Sequence, residues 1–433
     1  MKNLFYPLVL SIFLFSCKDD FTTLEIDKHE ITMKVGEVET LQIVKFSPSE
    51  PENYTVNVLS EDSNIVKIEN GNLIAIRQGQ TTIKVLVEDI SATCQVTVSG
   101  VYDERNDIYL AGNGSNNNAI YVVNGITYSL PSEKDLSSAT CIDIQGENTY
   151  IGGYEYNSKG QGEPAKPVLW INGENTRLSD NGNVTGIAVL GSDVYAVGQN
   201  TSTESYSVAT LWKNGTPIRL NPMPTHVHSF ANAISILNND IYVVGQCLVE
   251  SNNWKITAVF WKNGIMIPLS TKESYAADIT TWGDDFYICG REIVNGVSVA
   301  KYWKNGVECT LSNGIQNCGA ERIAVEGNDV YIAGYEEHKK DFYIPVYWEN
   351  GVKQITTEEM LLGYTPLIAV SQGDIYFCSN LFYANEHLFM KNNQQFNFCG
   401  KPYIYARAIK LVAKKLVDPD KALNILNISE INR

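Results

Sequence analysis

One recurring pattern limits the fold of this chain more than any other feature. Asn238-Asn239-Asp240-Ile241-Tyr242-Val243-Val244-Gly245, followed by Ala258-Val259-Phe260-Trp261-Lys262-Asn263-Gly264, is one copy. Its tyrosine returns as Tyr109, Tyr150, Tyr195, Tyr242, Tyr287, Tyr331 and Tyr376, at intervals of about 41 to 47 residues. The Trp-x-Asn-Gly half returns at 170–173, 212–215, 261–264, 303–306 and 348–351, with weaker copies at 122–125 and 390–393. A period in this range marks a repeat architecture, in which each unit buries its apolar faces on its neighbours.

Each repeat holds four extended runs, a to d. In the third complete copy these are residues 233–237, 240–245, 257–261 and 266–269. Runs a and b meet at a tight Asn-Asn or Gly-Asp turn. Runs c and d meet at Asn-Gly, which supplies the positive φ that both central residues of a type I′ hairpin turn need. Four-stranded units at this period predict a β-propeller. Run b is apolar on both faces, as a sheet stacked between two others requires, so the repeated Tyr and Trp read as core. The count is seven. The first repeat lacks run a, and residues 406–412 match the run a of residues 231–237 with no Asp-x-Tyr after them. The last strand is therefore expected to complete the first blade and shut the ring, which removes exposed edges. The repeat resembles kelch and HAF-type bacterial repeats. That resemblance implies a scaffold and no particular activity.

Ahead of the repeats, residues 22–99 alternate β-branched runs with turn clusters, which predicts a β-sandwich. Residues 60–83 resemble the bacterial Ig-like group 2 family, with Leu59 where that family usually carries tryptophan. The resemblance implies a spacer or adhesion module. Residues 1–16 read as a signal peptide, Lys2 followed by an apolar run, and end on Leu14-Phe15-Ser16-Cys17. That ending resembles the bacterial lipobox, which implies lipidation of Cys17. Lys18-Asp19-Asp20, within the 17–21 linker, resembles the acidic surface-export signal of Bacteroidetes lipoproteins. The expected whole is an all-β chain: signal peptide 1–16, lipidated Cys and linker 17–21, Ig-like β-sandwich 22–99, seven-bladed β-propeller 100–412 closed by a C-terminal strand, and a tail 413–433 without an assigned role. The acyl chains would anchor it in the outer membrane, facing out.

The formal charge of −16 argues against a nucleic-acid partner, since an acidic chain repels phosphates. Nine cysteines are scattered without zinc spacing, and only Cys309 and Cys318 stand close enough to suggest a bridge across a short loop. His226-Val227-His228 has no third ligand nearby and reads as a polar loop, as does Glu336-Glu337-His338. No metal and no cofactor are expected. A four-stranded meander places its b–c and d–a connections on one face, where they vary from copy to copy, and variable loops on a rigid scaffold carry function. The aromatic residues there are Tyr154, Tyr156, Tyr206, Trp254, Tyr335, Phe342, Tyr343, Phe382 and Tyr383. They suit a glycan or a protein ligand, or they cover strand ends. With no sialidase-type box and no Gly-x-Ser-x-Gly elbow, the expectation is a binding or adhesion protein, not an enzyme. The alternatives are a propeller enzyme (glycoside hydrolase or lyase) acting on polysaccharide, through carboxylates that only the fold brings together, and a structural envelope protein.

Overall fold

The computed structural model describes residues 22–35, 37–47, 54–77, 79–99, 105–158, 164–201, 207–220, 227–249, 255–340, 342–355, 363–381, 387–395 and 404–414. They belong to two compact units that divide between Ser99 and Gly100. Every regular element described is a β-strand.

In the N-terminal unit one sheet runs Glu30–Lys34, Ile90–Ser99, Gly79–Val87, Val56–Ser60, and a second runs Val38–Thr40, Asn72–Ala75, Val66–Glu69. Both feed a single buried cluster that includes Met33, Val66, Leu73, Ile83 and Val96. Alternation produces this core, because in Gly79–Val87 every second residue from Thr81 onward is buried. Leu59 lies on the edge strand and is 54% exposed, so the position where the resembled family carries tryptophan faces out of the core here.

In the second unit the described residues form seven four-stranded sheets. Six are simple meanders, such as Val227–Leu237, Asp240–Val249, Lys255–Lys262, Ile265–Pro268. The seventh joins Asn106–Asn113, Ala119–Val123 and Ile126–Ser129 to Tyr405–Ala413, which pairs antiparallel with Asn106–Asn113. The expected pairing of the late strand with the first repeat is present. The a strands touch one another in sequence, and Tyr405–Ala413 touches both Gly363–Ser371 and Leu136–Gln145.

The two halves of the repeat are tied by one device. In each of the seven sheets the asparagine of the c–d turn turns its side chain back to strand b. Asn263 has φ 49° and Gly264 has φ 83°, the left-handed pair that a type I′ turn needs. Asn263 Oδ1 accepts the Ile241 N–H at 2.8 Å, and its Nδ2 donates to Asp240 at 2.7 Å. Lys262 then bridges Asp240 at 2.7 Å and lies 5.2 Å from the centroid of the Tyr242 ring. The same lysine–tyrosine–aspartate set recurs at 213/195/193, 304/287/285 and 391/376/374. The spacing between Asp-x-Tyr and Trp-Lys-Asn-Gly is thus the spacing of a side-chain clasp. Trp170, Trp212, Trp261, Trp303 and Trp348 are fully buried. They join neighbouring sheets: Trp261 packs in a cluster with Tyr195 and Leu211 of the sheet before it. Val122 and Met390 take this place in the weaker copies and are buried too.

Candidate functional site

The repeated glycine of strand b builds the site. A Cβ at Gly245 would lie 1.8 Å from the Phe230 carbonyl oxygen, and Gly153, Gly198 and Gly290 meet strand a at 1.9 Å in the same way. Backbone this close is compatible only with hydrogen at that carbon. Directly beside it strand a slips: in all seven sheets the a–b register shifts at this level. The residues left unpaired are Thr140, Thr185, Asn232, Ala277, Glu321, the pair 365–366, and Arg407. A bulge re-aims its side chain out of the sheet. Three of them reach the adjoining sheet: Thr140 Oγ1 is 2.6 Å from the Val184 carbonyl, Thr185 Oγ1 2.8 Å from that of Ala231, and Asn232 donates to Ala276 at 2.7 Å.

Where the seven a strands meet they enclose a cavity of about 190 Å³, lined by residues of all seven. Above it, toward the b–c and d–a connections, a second cavity of about 420 Å³ opens. Its wall holds Thr140, Asn183, Thr185, Asn232, Gln246 and Tyr154, together with Tyr275, Glu321 and the arginines 291, 322 and 407. The Arg291 guanidinium stacks 4.2 Å over Tyr275 and meets the Glu321 carboxylate at 3.1 Å. Arg322 Nη1 donates to the Glu321 carbonyl at 2.8 Å, and Arg407 Nε donates to Asn113 Oδ1 at 3.2 Å. Burial raises the Glu321 carboxyl above the ordinary glutamate range, against the pull of Arg291 and Arg322. Asp278 is likewise raised by burial, although the Ile279 and Ile323 amides donate to its two oxygens.

Of the expected ligand residues, Tyr154 lines this cavity, and Tyr156 stands beside it at 5.9 Å between ring centroids. Tyr335 and Tyr343 form an edge-to-face pair at 5.2 Å, with the Tyr335 ring seated over Gly319 and its hydroxyl raised by burial. Phe342 is 46% exposed. Tyr206, Trp254, Phe382, Tyr383 and Cys17 lie outside the described residues, as does His226. His228 Nδ1 accepts the Ser207 N–H at 3.3 Å. Two expectations are corrected. Residues 336–338 are strand, not loop: Asp329–Lys339 pairs through to Phe342, with Glu336 bridged by Lys353 and Glu337 accepting from Asn317. Strand extends past the repeated glycine, so Tyr154, Tyr156, Tyr335, Phe342 and Tyr343 sit on strand rather than in loops. Cys309 and Cys318 are both free, Cys318 inside the sheet core with its thiol pushed up to about 11 by burial. The polar and charged members of the cavity wall went unseen because they occupy single columns of strands that otherwise read as apolar core. Aligning the repeats exposes that column, where Thr, Thr, Asn, Ala, Glu and Arg follow one another.

No protein-family model matches the chain, and no curated protein is detectably similar in sequence. Solved structures are similar. A quinonprotein alcohol dehydrogenase-like protein from Bacteroides thetaiotaomicron matches at TM-score 0.34 and 10% identity, over 76% of this chain and 94% of that one. TolB from Acinetobacter baumannii matches at TM-score 0.40 and 10% identity, over 60% of this chain and 66% of that one. An acylaminoacyl peptidase from Pyrococcus horikoshii matches at TM-score 0.41 and 12% identity, over 67% of this chain and 54% of that one. The all-β, propeller-like architecture stands. The expectation that this chain is not an enzyme does not: the similar structures include a dehydrogenase-like protein and a peptidase, so fold and missing motifs give no ground for it.

Proposed function

We propose that this chain is a lipid-anchored envelope protein that presents a ligand-binding face to the outside of the cell. In this reading Cys17 carries the lipid in the outer membrane, residues 22–99 are the Ig-like spacer, and the seven sheets of 100–412 are the blades of one closed propeller. The ligand, a glycan or a protein, docks on the face of the b–c and d–a connections. The observation that carries the reading is the polar cavity of about 420 Å³ opening on that face, with Tyr154 in its wall. A rigid concave site with a few convergent polar groups and an aromatic face is what small polar ligands require. The test is an array of glycans and matrix proteins probed with the full chain in detergent. A saturable hit lost in Tyr154→Ala, Trp254→Ala and Tyr343→Ala together is the expected result. A hit unmoved by those changes would sink the reading. The anchor is tested separately, by palmitate labelling that Cys17→Ala should abolish.

A second reading, catalysis on a polysaccharide, is favoured by one feature. Glu321 is a carboxyl in the cavity wall whose burial favours the protonated form, as a general acid needs. Release of reducing ends, lost in Glu321→Gln with the fold intact, would establish it.

A further inference from the structure

We infer that the cavity of about 420 Å³ is an oxyanion subsite that takes the carboxylate or sulfate of an acidic sugar. This rests on the glycan reading of the face above and narrows it to a ligand class. Three guanidiniums enter one cavity of a chain whose formal charge is −16. Arg291 is satisfied by Glu321 at 3.1 Å. Among the described residues neither Arg322 nor Arg407 has a carboxylate within 4 Å, the distance at which the other ion pairs close.

The fold does not call for these charges. At the bulge position no cation is required: Thr140, Thr185 and Asn232 each reach a carbonyl of the next sheet, Ala277 does without, and Glu321 carries a carboxylate. Arg407 occupies the same position with a charge that no neighbouring carboxylate answers. Both arginines are nonetheless fixed. Arg322 Nη1 is held by the Glu321 carbonyl at 2.8 Å and Arg407 Nε by Asn113 at 3.2 Å, which leaves further guanidinium N–H groups of each to donate. A planar, pre-positioned fork is suited to bidentate recognition of an oxyanion. The uncharged polar part of the wall is amide, from Asn183, Asn232 and Gln246, and hydroxyl, from Thr140 and Thr185, with the Tyr154 ring beside them, and this suits the hydroxyls and apolar face of a sugar. The acidic exterior disfavours a polyanion lying across the face, whereas a single acidic residue inserted into the cavity escapes that repulsion.

The test is titration calorimetry of the full chain in detergent with a cellotetraose bearing a single terminal uronate, a cellotetraose bearing a single 6-sulfate, cellotetraose itself and a glutamate-rich peptide. At least one acidic sugar should bind ten-fold or more tightly than cellotetraose, and added salt should shrink the difference. Which of the two acids wins tells carboxylate from sulfate. The Arg322→Gln/Arg407→Gln double variant should lose ten-fold or more for the acid and far less for cellotetraose, while keeping a cooperative thermal transition. Arg322→Lys/Arg407→Lys should recover part of the loss. Equal binding of acidic and neutral sugars, no loss in the double variant, or preference for the peptide would each overturn the subsite. A glycan-array hit that needs Tyr154 and Tyr343 but ignores both arginines would keep the glycan reading and discard this one.

Discussion

At Gly245 the constraint is room rather than backbone conformation, because the carbonyl of Phe230 sits where a methyl would go, 1.8 Å from the ideal Cβ. Gly245→Ala should therefore push strand a off strand b, at a cost of about 1–3 kcal/mol for an overpacked core position. A denaturant midpoint equal to that of the parent would refute this account. Ser379 supplies the internal control. It occupies the equivalent place in the sheet of Asp374–Leu381, where the partner strand skips two residues, from Tyr364 to Leu367, and a side chain is accommodated. These residues also show the limit of reading the chain unaided. The recurrence of glycine is plain in the sequence, whereas its cause is a register slip between two strands, a property of pairing that no single strand encodes. Tyr154 was legible because an aromatic residue just beyond the repeated glycine stands out. Arg322 and Arg407 were not, since a charge among the small and apolar residues of a strand is the ordinary look of its solvent face.

The c–d hairpin with its asparagine turn, clasped to strand b, is the element the sequence specifies most completely. Period, turn type and buried tryptophan all follow from residues in view, while the clasp that unites them required the distances. The clasp makes stability depend on acid. Hydrogen bonds from Lys262, and then from Asn263, hold the Asp240 carboxyl below the ordinary aspartate value of 3.8, and Asp193 and Asp285 are lowered in the same way. A depressed folded-state pKa gives stability that is present above the unfolded pKa and is lost as pH falls through the folded one. Melting temperature should thus hold from pH 7 to about 5 and fall below about pH 4, where free aspartate protonates. The Asp193→Asn/Asp240→Asn/Asp285→Asn variant should show a shallower acid step. Glu321 and Asp278 act in the opposite sense: their raised pKa values favour the folded state at low pH, and that contribution is lost as pH rises through the folded value. An acid profile identical in the triple variant and the parent would show that the clasps do not govern it.

Over the whole repeat unit, the arrangement stands or falls on residues 404–414. Ile404 and Ala406 are buried with Leu367, Tyr376 and Cys378 of one neighbouring sheet, and Lys410 reaches Asp143 of the other at 2.7 Å. Asn380 grips the backbone of Ala406 on both sides, donating to its carbonyl at 2.8 Å and accepting its N–H at 3.1 Å. The strand therefore serves three sheets at once, its own and the two beside it. Deleting it would leave Asn106–Asn113 with a bare edge and strip the cover from a buried cluster, and an open array of sheets with such an edge associates with other copies. The expected result of removing 404–414 is loss of the cooperative thermal transition together with aggregation seen by light scattering. Asn380→Ala is the gentler version: it leaves the Ala406 N–H and C=O buried without partners, which costs about 1–3 kcal/mol for each such group. If the truncated chain melted where the parent does, the repeat unit would owe its stability to the other six sheets alone, and the pairing of Tyr405–Ala413 with Asn106–Asn113 would be incidental. If both changes act as expected, the sheet shared by the two ends of the repeat unit is the joint on which the cavity's shape depends, since Arg407 is carried into the axis by the same strand.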